Sequence, residues 1–364
     1  MSDWVSRKQF RVTNSLLSAA TDYQIRFQVY RSTGTDTATD VYIGTNCQED
    51  FSDIRWTDST GIDEGLYEYW IESPTTSAVA TCWVKMRYLP ANSATTVYLY
   101  YNNPNGVSAY SSGSNTFQFF DDFSGTTLDT DKWTQVGGGT PTFSSGYMTV
   151  TANSTDPGKI IATAATTGDN TVFTARFKVT GGSNVQGRAG LSIKTGATGC
   201  GYNFVVEDFT NVDGVKFLND KVAWGSDLDN WAKDTWYKFD IVHDGTNVKG
   251  RIDGGTWRSV AWSGRTGHPA LNIGSHDEVT QWDYAFTRVY AATEPTVSGW
   301  SSQEDLEEDS DLPPVTTAKS YRIVGIEYDQ NKGVFVIEFG AVEDYYMTQD
   351  AKYRGAYNNT LSLL

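Results

Sequence analysis

Apolar and polar residues alternate along most of this chain. In Gln24–Tyr30, Ile25, Phe27 and Val29 share one face; in Ala80–Met86, Cys82, Val84 and Met86 oppose Trp83 and Lys85. Val97, Leu99 and Tyr101 align in Thr95–Tyr101. A period of two places alternate side chains on opposite faces of a strand, so each segment reads as a half-buried strand. A second run follows at Tyr147–Thr151, Val172–Val179, Arg188–Lys194, Asn203–Glu207, Trp236–His243, Val248–Asp253, Ala270–Gly274 and Trp282–Tyr290. Asp244-Gly245 and Asp253-Gly254-Gly255 supply hairpin turns. No window before residue 300 sustains a helical period.

The expected fold class is therefore all-β: two consecutive jelly-roll-like β-sandwich domains plus a small C-terminal β-hairpin module. The turn-rich stretch Asn102–Gly106, then Ser108–Ser114, divides a first sandwich at 1–112 from a second at 113–298. Glu304, Asp305, Glu307, Glu308, Asp309 and Asp311 precede Pro313-Pro314, so 299–318 reads as a solvated, extended linker. In 319–364, Tyr321–Tyr328 and Val334–Phe339 flank Asp329–Gly333 as a hairpin. An isolated hairpin is marginal in water. Tyr321, Tyr328, Phe335, Phe339, Tyr345 and Tyr346 are thus candidate attachment residues, packing on a partner chain or on the protein's own second sandwich.

Composition narrows the partners. The chain has 364 residues and a formal net charge of −16. That balance excludes a phosphate-binding basic face, hence nucleic acid, and excludes attraction to anionic lipid. Aromatic content of 14%, with 12 Trp, supplies a sizeable core. No stretch approaches the roughly 18–20 apolar residues of a membrane helix, so membrane insertion is not expected. The first residues carry no apolar secretory segment: either a precursor's signal has been removed, or the protein leaves its host cell by another route, such as inside an assembled particle. Cys47, Cys82 and Cys200 show no metal-ligand spacing and read as reduced thiols, with a Cys47–Cys82 disulfide the alternative.

Several short motifs carry a family resemblance. Trp4, Arg7-Lys8, Asp22-Tyr23-Gln24 and Phe51-Ser52-Asp53-Ile54-Arg55-Trp56 come first. Tyr69-Trp70-Ile71-Glu72, Trp83-Val84-Lys85 and Tyr98–Pro104 follow in order. This region resembles a domain of unknown function common in archaeal and bacterial surface proteins. The next stretch, Phe117–Phe123, Leu128-Asp129 and Lys132-Trp133, closing with Arg288-Val289-Tyr290 and Glu294-Pro295-Thr296, resembles a concanavalin A-like (laminin G-like) jelly roll. The two cover residues 3–298. The resemblance implies two β-sandwiches and, by itself, no chemistry.

Jelly rolls of that kind include glycoside hydrolases, which need two carboxyl groups about 5–5.5 Å apart for retaining hydrolysis. Glu207 and Asp208 are adjacent, so in a strand they point to opposite faces, and the pattern fails. His243, His268 and His276 read as surface and turn residues with no nucleophile motif beside them. No enzyme activity is expected. Calcium is the one candidate cofactor, held by Asp121, Asp122, Asp129 and Asp131; the alternative is that these residues cap turns. For glycans, Trp224, Asp227, Asn230 and Trp231 form a loop with stacking and hydrogen-bonding groups, with Tyr202, Arg188 and Trp262 as neighbours. The alternative puts Trp224 and Trp231 in the core, where Trp236 is expected.

The leading expectation is a non-enzymatic virion structural protein, a capsid decoration, turret or tail-fibre subunit at the virion surface. It would attach through its C-terminal module to other virion proteins or to copies of itself, and would display lectin-like sandwiches to host glycans. A secreted or cell-surface adhesin is the second reading and a glycoside hydrolase the third.

Overall fold

The computed structural model describes residues 4–306, apart from 59–64, 77, 106–109, 153–157, 167, 182–186, 210–211, 221, 225–229 and 276, together with 322–329 and 334–340. Strands β1 (Ser6–Asn14), β2 (Ala20–Tyr30), β3 (Asp40–Tyr42), β4 (Arg55–Thr57), β5 (Tyr69–Thr76), β6 (Val79–Leu89) and β7 (Ser93–Tyr101) build the first sandwich. One sheet is ordered β3-β2-β6-β5; β1, β7 and β4 lie in the other. All three alternation patterns hold. Ile25, Phe27, Val29, Cys82, Val84, Met86, Val97, Leu99 and Tyr101 share one buried cluster, while Trp83 faces the opposite side. Trp56 fills its centre against Phe27, ring centroids 4.7 Å apart. Cys47 and Cys82 are buried free thiols, and Cys200 is exposed and also free.

A four-residue helix, α1 (Gly113–Thr116), capped by Ser112, leads into the second sandwich. Its strands are β8 (Phe119–Asp121), β9 (Thr134–Val136), β10 (Thr142–Ser144), β11 (Tyr147–Thr151), β12 (Lys159–Ile161), β13 (Thr171–Gly181), β14 (Gly187–Thr195) and β15 (Tyr202–Phe209). They continue with β16 (Val212–Asn219), β17 (Val222–Trp224), β18 (Tyr237–His243), β19 (Val248–Ile252), β20 (Arg258–Val260), β21 (His268–Ile273) and β22 (Val279–Val289). An eight-stranded sheet, β10-β11-β22-β13-β18-β19-β20 with β8 on β22, faces a seven-stranded one, β17-β16-β15-β14-β21-β12-β9. Phe177, Phe204, Phe217, Phe239, Leu271 and Trp282 fill the space between them.

The eight-stranded sheet turns its other face to the first sandwich. Trp70 and Trp83 pack there against Phe117, Phe120, Tyr284 and Phe286. Within this aromatic layer the Glu72 carboxylate accepts hydrogen bonds from Trp83 Nε1 (2.8 Å) and the Tyr284 hydroxyl (2.5 Å). Lys238 Nζ stands 3.2 Å away and Arg26 Nε 3.8 Å. Burial alone would raise the Glu72 carboxyl; the Lys238 charge and the Tyr284 bond, with Arg26 and Trp83, outweigh it and hold it below the usual carboxylate range. Gln24 bridges the two sandwiches as well, donating to Thr116 O and accepting from Val289 N.

After β22 the chain returns to the first sandwich, and here the structure departs from the linker expected at 299–318. Strands β23 (Thr296–Ser298) and β24 (Glu304–Asp305) both pair with β1. Between them Trp300 stacks on Phe10, centroids 4.2 Å apart. The acidic residues suit this edge: Arg7 forks onto Glu304 at 2.8 and 2.9 Å. Charges on an edge strand also discourage further pairing. Residues 307–321 lie outside the described residues.

The C-terminal segment forms a separate unit. Its hairpin, β25 (Arg322–Asp329) against β26 (Val334–Gly340), is where the alternation placed it. Tyr328 stands opposite Phe335 and Phe339 opposite Ile323. Tyr321, Tyr345 and Tyr346 lie outside the described residues.

Candidate functional site

The glycan candidates do not all come together. Tyr202 is a core residue, a correction to the surface role expected of it. Its ring stacks on Trp262 at 5.4 Å, and its hydroxyl donates to Ser263 O at 2.5 Å. Its position on β15 alternates with Asn203, and the inward phase belongs to Tyr202, Phe204 and Val206. Trp262 is also core. Trp224 ends β17 opposite Phe217; its side chain and Asp227 lie outside the described residues. Asn230 is exposed. Trp231 is half-buried against the second core, and its Nε1 donates to Glu207 O at 3.0 Å. Part of the Trp231 side chain thus packs on the core and part stays open. Trp231→Ala should therefore lower unfolding free energy by about 2 kcal/mol, less than a fully buried Trp would cost, as read by denaturant titration. Trp236, expected in the core, is instead half-buried outside it, with Arg176 4.6 Å and Lys178 5.0 Å from its ring.

The aspartates expected to bind calcium are committed to turns. Asp121 Oδ1 accepts from Phe123 N and Oδ2 from Trp133 Nε1. Asp122 accepts from Ser124 N, and Asp129 from Asp131 N. Asp121, Asp122 and Asp129 line a hollow of about 170 Å³, and Asp131 is exposed away from its lining. The cation among them is Lys132 Nζ, 3.9 Å from Asp121 and 3.6 Å from Asp129. Among the described residues no group of three or more His, Cys, Asp or Glu could hold a metal ion. His243, expected at the surface, is buried between Asp169 (2.8 Å) and Trp262 O (2.9 Å). His268 is half-buried, its Nδ1 3.1 Å from Ala165 O, and His276 lies outside the described residues.

What the structure does assemble is polar ground on the second face of the seven-stranded sheet, the face turned from the core. Arg188 on β14 stands directly opposite Glu207 on β15, with Nε 2.8 Å from Oε1. Lys216 Nζ on β16 is 2.8 Å from Oε2. Glu207 is 1% exposed, whereas Arg188 and Lys216 keep part of their surface. Both carboxylate oxygens thus face a cation. Along the same face Lys159 Nζ on β12 reaches Ser192 Oγ on β14 (2.5 Å) and Asn203 Oδ1 on β15. Asn272 on β21, its amide set by its neighbours, accepts from Lys159 at 3.2 Å and donates to Arg188 O. Lys159, Ser192, Asn203, Asn272 and Lys216 were not singled out from sequence. The available signal was polar residues in strand interiors at the phase opposite the core, as in Lys159-Ile160-Ile161.

Fold and site together define an all-β protein of two packed sandwiches, the second with an ion-paired, amide-lined sheet face. A family model described as a domain of unknown function (DUF2341) matches residues 50–136, from the first sandwich across the junction to β9. No curated protein matches the sequence. Similar solved structures include a glycosyl hydrolase family protein from Mycobacterium fortuitum (14% identity, 47% of this chain and 99% of that one, TM-score 0.33). Another is carbohydrate binding module CBM66 from Bacillus subtilis (16%, 43% and 92%, TM-score 0.29). A third is the GH43 protein BlXynB from Bacillus licheniformis (12%, 62% and 50%, TM-score 0.36).

Proposed function

We propose that this is a non-enzymatic glycan-binding display protein. The observation that supports it is the second face of the seven-stranded sheet, where Arg188 and Lys216 present charges at partly open positions, fixed by the buried Glu207 between them. Fixed donors and acceptors on a rigid sheet orient sugar hydroxyls without changing them. The sole carboxylate described at that spot is spoken for on both oxygens, which favours binding over hydrolysis. In its finer form the reading places the protein on a virion surface, attached through the β25–β26 hairpin and tail to other virion proteins or to its own copies. Calcium stays outside the proposal, since Asp121, Asp122 and Asp129 already accept backbone or indole N–H groups and Lys132 stands beside two of them.

The test is a glycan array with the purified protein, followed by the Arg188→Ala/Lys216→Ala double variant. Binding should fall at least tenfold in the variant, about 1.4 kcal/mol, while Trp236→Ala on the other sheet leaves it unchanged. Reducing-sugar release from bound polysaccharides should stay at background. Loss of binding only in the Trp236 variant, or sugar release abolished by Glu207→Gln, would refute it.

A further inference from the structure

Lys159 is 5% exposed, yet its ammonium position faces only neutral groups. Among the described residues no carboxylate lies within ion-pair distance of it. We propose that Lys159 and Asn203 become joined by an intramolecular amide bond, a covalent cross-link from β12 to β15 within the seven-stranded sheet. This proposal is independent of the glycan reading.

Three features of the site favour the reaction. The first is the nucleophile. Burial pulls the Lys159 amine down to about 7, with Asp220 and Cys200 opposing weakly, so a large share is neutral at ordinary pH. A neutral lysine in a dry pocket is a competent nucleophile. The second is the electrophile. Asn203 Oδ1 accepts from both Lys159 Nζ and Ser192 Oγ. The Ser192 donor stays on that oxygen as Nζ turns to attack Cγ, and it stabilises the negative charge that develops there. The third is geometry. Asn203 Nδ2 donates to the carbonyls of Gly201 (3.3 Å), Leu218 (3.4 Å) and Asp220 (2.8 Å), which fix the amide. Strands hold the amine and this amide in contact, so the encounter is already made.

The step balances without a co-reactant. The amine lone pair forms the new bond to Asn203 Cγ. One amine proton passes to Nδ2 within the tetrahedral intermediate. The Cγ–Nδ2 bond then breaks with its electron pair on nitrogen, and ammonia leaves. Asn272 also reaches Lys159, but its oxygen receives that single donor.

The experiment is intact-mass analysis of the full protein, followed by proteolysis and fragmentation. The expected mass is below the sum of the residues by one ammonia, about 17 Da, with a branched peptide joining Lys159 to Asn203. Lys159→Met should restore the full mass, and Ser192→Ala should leave part of the population unlinked. An unmodified mass in the wild-type protein overturns the proposal. So does a loss that persists in Lys159→Met, which would assign it to cyclisation at a site such as Asn105-Gly106. A branch at Asn272 overturns it as well.

Discussion

Replacing Glu72 with alanine should lower unfolding free energy by about 3–5 kcal/mol, the loss expected when one partner of a buried ion pair is removed. The carboxylate receives the Trp83 and Tyr284 donors and faces Lys238 inside the aromatic layer between the sandwiches. Its removal strands those donors and leaves Lys238, itself largely covered, without its nearest carboxylate. Thermal unfolding followed by near-ultraviolet circular dichroism reads both the loss and any split into two transitions. The pH dependence has a definite sign. The folded carboxyl lies below its ordinary value of 4.5, so its stabilisation is complete above that value and disappears as pH falls through the lower folded one. Wild-type protein should therefore lose this contribution in acid, and Glu72→Ala should not. An alanine variant within 1 kcal/mol of wild type, with an unchanged acid profile, would contradict this account.

Ending the chain at Tyr290 should have a still larger effect, because it removes β23, β24 and Trp300 from a sandwich encoded mostly before residue 102. The ring of Trp300 stacks on Phe10, and Val297 is buried in the same core. Stripping the half-buried Trp300 costs about 2 kcal/mol and the buried Val297 about 1–2 more, and β1 would also lose both strands that pair on its outer side. That total is comparable to the whole stability of an ordinary domain, about 5–15 kcal/mol, so the shortened protein should aggregate or unfold. A chain ending at Leu306 should keep the cooperative transition of the intact protein. Analytical size exclusion and calorimetry on the pair decide it, and a soluble, cooperatively folding 1–290 fragment would show the returning strands to be dispensable.

Much of the fold is legible in the sequence because strand alternation is a local signal. Ile25, Phe27 and Val29 need no distant information to declare a buried face, and the hairpin at Asp329–Gly333 announces itself by its turn residues. The returning segment was hidden for the opposite reason. Glu304 and Asp305 look like spacer charges until Arg7, far away in sequence, is placed beside them. The site suffered most. Tyr202 and Trp231 have the side chains of a sugar platform, but strand phase turns Tyr202 inward, and phase relative to the core is fixed only when neighbouring strands are in register; Trp231 lies in a loop and is held by Glu207 O on another element. Lys159 reads as an ordinary surface lysine, since nothing local reveals that Ser192 and Asn203 converge on it from two other strands.

The pairing of β24 with β1 has one more consequence. Leu306 N donates to Val5 O at 2.7 Å, so the two-sandwich body begins and ends at the same place. Topologically it is a ring with a narrow neck. A body of that kind can be spliced into a surface loop of an unrelated protein without stretching its host, or be cut at a new point and rejoined at the neck by a linker of a few residues. A pull between its two ends would separate β24 from β1 bond by bond at the neck before it reached Trp300 and Phe10 in the first core.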